Sequence, residues 1–261
     1  MSTRAEQYAV RVCAREQISP HLIRLRLAGR APDWFPSTGI PDEWVGLIVP
    51  GQYQVRYYTV RGLAGAEIVL DVVVHEMGLV TEWASHDCVG EHAIITEPKG
   101  SYAPPQDAEW QILAGDLTAM PAIAQIIEST ELPTKVLAEV ADDLPDYLPT
   151  GAEVTWLSPP HAGSALSAAV ESIAWPDGVG YFWMAGESGQ MRAIRKYLMR
   201  ERRGTAYDVM GYWRRSASRQ PRAVDPGPIW RAGKSAGRTD EEIWAAYDAA
   251  RDNSDSAARS T

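Results

Sequence analysis

The chain has 261 residues, 45% hydrophobic and 23% charged, enough to bury one large core or two modest ones. A formal net charge of −9 makes nucleic acid a poor partner, because phosphate contacts dominate that affinity. The two cysteines, Cys13 and Cys88, lack CxxC spacing, which excludes a disulfide framework or a four-cysteine iron–sulfur cluster within the chain and points to a reducing cytoplasm.

Residues 8–14, 21–28, 43–49, 52–61, 66–75 and 91–97 are short apolar or alternating runs with Gly, Pro and Asp between them, which predicts β-strands. In the second run Leu22, Arg24 and Arg26 alternate with Ile23, Leu25 and Leu27. Six such strands and one short helix at 80–85 predict a small closed barrel. The fourth run ends in Arg56-Tyr57-Tyr58-Thr59-Val60-Arg61, which supplies a flat aromatic, a hydroxyl and two guanidinium groups. On a strand Arg56, Tyr58 and Val60 share one face, and Thr59 and Arg61 the other. A flavin dinucleotide needs all three: a π-face for its isoalloxazine, a hydrogen-bond partner for ring N5 and bidentate cations for its pyrophosphate. The same hexamer also fits an edge strand with solvated arginines.

Pro104-Pro105-Gln106-Asp107 breaks the pattern and reads as a linker. Beyond Glu109 the rhythm becomes strand–helix alternation. Strands are predicted at 110–114, 134–140, 153–157, 181–185 and 207–213, and helices at 118–129, 164–174 and 188–203. That order predicts a parallel sheet with right-handed crossovers. The predicted organisation is an FAD-binding barrel domain over 1–105 and an α/β, NAD(P)H-binding-like domain over 106–215. A tail over 216–261 carries one helix at 240–252.

Two strand-to-helix turns, Gly115-Asp116-Leu117-Thr118-Ala119 and Gly186-Glu187-Ser188-Gly189, fall at the carboxyl edge of that sheet, where open α/β folds bind ligands. Asp116 or Thr118 is positioned to cap the first helix, and Glu187 or Ser188 the second. No GxGxxG follows the first strand of this half. Glu139 opens an acidic cluster with Asp142, Asp143 and Asp146 that suits a ribose diol and repels a 2′-phosphate, favouring NADH, and that fits a solvated loop equally well. Residues 187–238 hold thirteen Lys/Arg against four Asp/Glu, a block of +9 in an acidic chain, able to focus anionic ligands or dock an acidic ferredoxin. Residues 1–6 hold no apolar stretch, and no run of about 18 apolar residues occurs, so export and membrane insertion are not expected. His21, His75, His86, His92 and His161 lack ligand spacing, so no metal site is expected either.

Five stretches, in order, make the chain resemble the siderophore-interacting proteins, FAD-dependent ferric-siderophore reductases of the ferredoxin–NADP reductase superfamily. They are the hexamer above, Asp71-Val72-Val73-Val74-His75, the run from Ala114 to Ala122, Trp183-Met184-Ala185-Gly186-Glu187, and Gly211-Tyr212-Trp213-Arg214-Arg215. The resemblance implies that Arg56 and Arg61 hold the FAD phosphates, that Tyr58 lies against the isoalloxazine beside Val60, and that Thr59 bonds near N5. It implies that Asp71, Val73 and His75 line the flavin. Where the family has His-Gly and then a Gly-Pro-Ala turn opening a helix, this chain has Glu76 and then Gly78-Leu79-Val80-Thr81-Glu82-Trp83, so Gly78 and Trp83 match, the Pro-Ala does not, and Thr81 is expected to supply the missing hydroxyl. Asp116, Thr118, Ala119 and Trp213 are expected at the cofactor, and Arg214, Lys234 and Arg238 at the substrate. The implied reaction takes hydride from NADH or NADPH, or electrons from a ferredoxin, through FAD to the Fe(III) of a siderophore, with no protein acid, base or nucleophile. A siderophore- or flavin-binding protein without turnover and a general NAD(P)H flavin reductase are the competing readings.

Overall fold

The computed structural model describes residues 6–31, 33–52, 55–75, 78–161 and 163–214, together with Ile229, Ala232, Ala236, Arg238 and Ala246. Lys234, Glu76, Tyr53 and the tail helix expected at 240–252, apart from Ala246, lie outside these residues.

Strands β1 (Gln7–Ser19), β2 (Leu22–Ala28), β3 (Trp44–Ile48), β4 (Arg56–Ala64), β5 (Glu67–Val73) and β6 (His92–Thr96) close an antiparallel barrel in the order β1-β2-β5-β4-β3-β6. The alternation read in β2 is the reason it fits. Ile23, Leu25 and Leu27 enter the barrel core with Val12, Leu47, Val60, Leu70 and Ile95, while Arg24 and Arg26 stay at the surface. Burying each such Leu or Ile contributes about 1.5–3 kcal/mol. β1 runs five residues beyond the predicted end at residue 14, to Ser19, because irregularities at Val12/Ala14 and Gln17/Ser19 let it follow β2 past charged residues. A short helix, α1 (Leu79–Ser85), follows β5.

The second half is a parallel sheet of β7 (Trp110–Asp116), β8 (Thr134–Glu139), β9 (Ala152–Leu157), β10 (Gly180–Glu187) and β11 (Ala206–Trp213), in the order β11-β10-β7-β8-β9. Central strands β7 and β10 are buried almost throughout, whereas edge strands β9 and β11 are half exposed. Helices α2 (Met120–Ser129), α3 (Leu166–Glu171) and α4 (Ser188–Glu201) complete the crossovers. Among the described residues no helix is long and apolar enough to cross a membrane.

The halves share a wall. Leu22, fully buried, and Val73 and Ile18 of the barrel pack into the core beneath α2. Polar pins reinforce the wall. The buried Asp71 carboxylate accepts Arg24 Nε and Nη2, each at 2.8 Å, and the Tyr147 hydroxyl at 2.5 Å. Arg61 grips Glu128 of α2 with both terminal nitrogens, at 3.1 and 2.8 Å. Asp142 accepts the Ser19 hydroxyl and the His21 amide, and its Oδ1 lies 2.6 Å from His21 Nδ1.

Candidate functional site

The barrel side of the site is β4. Along one face of the strand Val60 is buried in the barrel core, Tyr58 is half-buried against that core, and Arg56 is exposed at the strand's start. Burial pushes the Tyr58 phenol well above its ordinary range, with Arg56 pulling weakly the other way, so the ring is a neutral surface. Thr59 faces the second half and is only 5% exposed, yet its hydroxyl has no hydrogen-bond partner. Arg61 also faces the second half, but both of its terminal nitrogens are committed to Glu128, and its guanidinium lies 5.6 Å from the Tyr147 ring centroid. A cavity of about 300 Å³ beside it is lined by Glu16, Arg24, Arg26, Arg61, Gly62 and Val69. Each of its three arginines already has a carboxylate: Asp71, Glu67 and Glu128 respectively.

From β5 the chain turns into α1. Asp71 is spent on Arg24 and Tyr147, Val73 packs into the shared wall, and His75 is exposed at the strand's end. Gly78 opens α1 with φ 158° and no side chain caps the helix. Thr81 is buried and its hydroxyl donates to the Val73 carbonyl at 3.4 Å, tying α1 back to β5. Trp83 turns toward the barrel and donates to Glu91 at 2.6 Å.

The second half contributes the carboxyl edge of its sheet. Asp116 Oδ1 accepts the Thr118 amide at 2.9 Å and the Thr118 hydroxyl at 2.5 Å, and Oδ2 accepts Trp213 Nε1 at 2.7 Å. Burial pushes the Asp116 carboxyl up, and these hydrogen bonds offset part of the shift. Neither Asp116 nor Thr118 caps α2. The helix starts two residues later than its spacing predicts, with Ala119 at the N-cap, because Asp116 captures Thr118 in a turn of its own. Glu187 does cap α4, accepting the Gly189 and Gln190 amides at 2.6 and 3.1 Å. Gly186, at φ 154°, leaves room for Asp116: a Cβ there would lie 2.7 Å from Oδ2. Arg214 is exposed at the end of β11, and Arg238 is exposed as well.

Two features escape the sequence reading. Asp42, fully buried, accepts the Ser101 amide and hydroxyl, the Tyr102 amide and Trp183 Nε1, at 2.8–3.2 Å, clasping barrel, linker and β10 together. Tyr212 sends its hydroxyl from β11 toward Thr59, and no side chain in either strand announces that meeting. The acidic cluster also differs from its reading. Glu139 is buried and takes the Ala165 amide at 2.5 Å, and Asp142 belongs to the wall, so only Asp143 and Asp146 are exposed.

Thr118 and Trp213 thus meet at Asp116 on the sheet's carboxyl edge, with β4 on the barrel side, and known proteins share the barrel-plus-sheet layout. A siderophore utilization protein from T. fusca superposes with a TM-score of 0.71 at 28% identity, over 84% of this chain and 97% of that one. The NADPH-dependent ferric-chelate reductase of Escherichia coli is 25% identical over 236 residues, 76% of this chain and 89% of the relative. The ferric vibriobactin reductase of Vibrio cholerae is 32% identical over 185 residues, 66% of this chain and 67% of the relative. The sequence pattern of the family described as siderophore-interacting protein matches residues 108–216, from the start of β7 to just past β11. By the five ordered motifs, the barrel-plus-sheet layout and these likenesses, the chain belongs to the siderophore-interacting protein family.

Proposed function

We propose that the chain is an FAD-dependent reductase of ferric siderophores, drawing on NADH or NADPH and acting in the reducing cytoplasm. Family membership makes siderophore-linked ferric reduction the frame. The observation that carries the flavin reading is Arg56, exposed on β4 two residues from the half-buried, neutral ring of Tyr58. A guanidinium and a π-face two positions apart on one strand face suit a pyrophosphate and an isoalloxazine.

FAD, when bound, would couple a two-electron hydride donor to one-electron reduction of iron. The rest falls to the chain. Arg56 offers a guanidinium to the pyrophosphate, and the uncapped first turn of α1 offers backbone N–H groups. Tyr58 offers a neutral ring face. The Asp116–Trp213 bond fixes the indole at the edge of the sheet. Arg214, Lys234 and Arg238 are assigned to anionic groups of the ferric complex. Hard oxygen donors hold Fe(II) far more weakly than Fe(III), so iron leaves once reduced.

The test is anaerobic. The purified protein should hold FAD and turn yellow, and NADH or NADPH should bleach it. A ferric siderophore should then restore the colour and deliver Fe(II) to a ferrous chelator. Failure to retain FAD overturns the reading. Reoxidation by free flavin but by no ferric siderophore would make it a general flavin reductase instead.

A further inference from the structure

Helix α4 gathers positive charge on one face. From Ser188 to Arg203 the chain holds six Lys/Arg against one acid, Glu201, a local charge of +5 in a chain whose net charge is −9. Arg195 and Arg202 are spent inward, the first on the Val209 carbonyl and the second 4.9 Å from the Trp175 ring centroid. Arg192, Lys196 and Arg200 follow at i, i+4 and i+8, so they share the side opposite the buried Met191, Ile194 and Leu198. Met199 lies beside them, 57% exposed, and Arg203 is exposed just past the helix end. Arg200 bonds Glu201 through Nε at 2.6 Å, whereas the side chains of Arg192, Lys196 and Arg203 have no partner among the described residues. Other basic side chains are matched: Arg24 with Asp71, Arg26 with Glu67, Arg61 with Glu128 and Lys135 with Glu153. Acids are plentiful, 34 against 25 Lys/Arg, and like charges four residues apart destabilise a helix, so stability does not account for this face.

We propose that the outward face of α4 seats the protein on an anionic bilayer, by adsorption and without insertion. Charge complementarity selects an anionic partner, and the make-up of the face selects a bilayer. The face runs along one helix of roughly 20 Å. Its outward residues include no aromatic side chain, the kind of group that anchors protein hot spots and stacks unpaired bases. Long cations around one exposed methionine suit a flat field of headgroups, with the thioether at the acyl boundary. Salt screens the acidic remainder of the chain beyond about 8 Å, so the charges nearest the surface decide the sign of the contact. α4 also starts at the candidate site, where Ser188 donates to the Trp213 carbonyl at 2.7 Å, and Arg192 lies one turn further on. A molecule seated on α4 therefore brings the sheet's carboxyl edge to the headgroups. The adsorption itself does not rest on the reductase reading.

The test uses the full chain, sedimented with vesicles of phosphatidylcholine alone or mixed with phosphatidylglycerol. The parent should pellet with the anionic vesicles and not with the zwitterionic ones, and less as salt rises through about 0.1 M. Replacing three cations together, Arg192→Gln, Lys196→Gln and Arg203→Gln, should lower the partition coefficient on the order of a hundredfold, from about 1 kcal/mol per cation near the surface. Removing the same charge from exposed barrel positions, Arg11→Gln, Arg30→Gln and Lys99→Gln, should lower it by less than about threefold, because only cations near the headgroups count. Arg192→Lys with Arg203→Lys should bind like the parent, since a headgroup field reads charge and not the guanidinium fork. The variants are compared at a temperature where circular dichroism shows each of them folded. Pelleting with both kinds of vesicle, equal losses in the two triple variants, or no pelleting at all overturns the inference. So does retention on duplex DNA or polyglutamate, through the same three residues, at a salt concentration where anionic vesicles no longer hold the protein. The face would then serve nucleic acid or an acidic protein.

Discussion

Arg56 and Asp71 show how differently two polar residues of the same kind of motif are used. Arg56 is exposed on β4, outside the wall where Arg61 is consumed by Glu128. If it carries the pyrophosphate, Arg56→Ala removes a charge-assisted bond of about 1.5–3 kcal/mol, one to two decades of FAD affinity. A fluorescence titration checks this, and an unchanged dissociation constant moves the phosphate contact elsewhere. Asp71 sits in an alternating strand at a position where the resemblance expects a flavin contact, but its partners are Arg24 and Tyr147, the latter 76 residues downstream. An amide offers only one acceptor and points an NH₂ at donors, so Asp71→Asn should cost about 3 kcal/mol in urea unfolding. Tyr147→Phe should cost only about 1 kcal/mol. The sequence placed Asp71 on a strand, at the flavin by resemblance, and the structure spends it on the wall instead. Its partners were not legible, because strand periodicity carries no information about a distant loop.

Strands and helices were legible wherever one periodicity held. β2 alternates and β7 and β10 are largely apolar runs, and all three lie within a few residues of their predicted bounds. Ends were less so, because they are set by side chains competing for backbone groups. The start of α2 is the clearest case. Thr118 reads as a cap, but Asp116 takes its amide and hydroxyl first, and the helix begins at Met120. This element has a pH signature. The folded Asp116 carboxyl titrates above its unfolded value, chiefly from burial. Its contribution to stability is therefore present below the unfolded value, about 3.9, and is lost as pH rises through the folded one. Asp116→Asn, which forfeits the Trp213 bond at every pH, should be most damaging near pH 4, with a gap to the parent that narrows toward pH 7. Melting temperatures across that range would show it, and a widening gap would mean that the charged form is the one held in the turn.

At the scale of the molecule, the wall between the halves explains why the acidic cluster misled. Asp142, Asp143 and Asp146 look like a solvated patch, yet the Asp142 side chain is only 3% exposed because Ser19 and His21 use it. Burial alone would raise this carboxyl, but the Ser19 and His21 bonds hold it below the usual carboxylate range. The sign is opposite to that of Asp116: its stabilisation is present above about pH 4 and is lost as pH falls through the folded value. The parent should therefore lose more of its melting temperature than Asp142→Asn between about pH 5 and pH 3. Equal losses would mean that the wall is held by other contacts.

The same geometry removes the case for NADH. A carboxylate selects a ribose diol only if its oxygens face the nucleotide, and Glu139 is instead buried beneath the start of α3 with Oε1 on the Ala165 amide. Its role is to anchor that turn, as Glu187 anchors α4. A glutamine keeps an oxygen for Ala165, so Glu139→Gln should fold and should leave the ratio of NADH to NADPH reduction rates within about threefold of the parent, below 1 kcal/mol of discrimination. Arg192 and Lys196 are exposed on α4, the helix that Glu187 caps. Stopped-flow bleaching by each nucleotide measures the ratio directly. A shift of tenfold or more toward NADPH in Glu139→Gln, about 1.4 kcal/mol, would mean that the carboxylate turns to the nucleotide when it binds and that the ribose reading of the cluster was right.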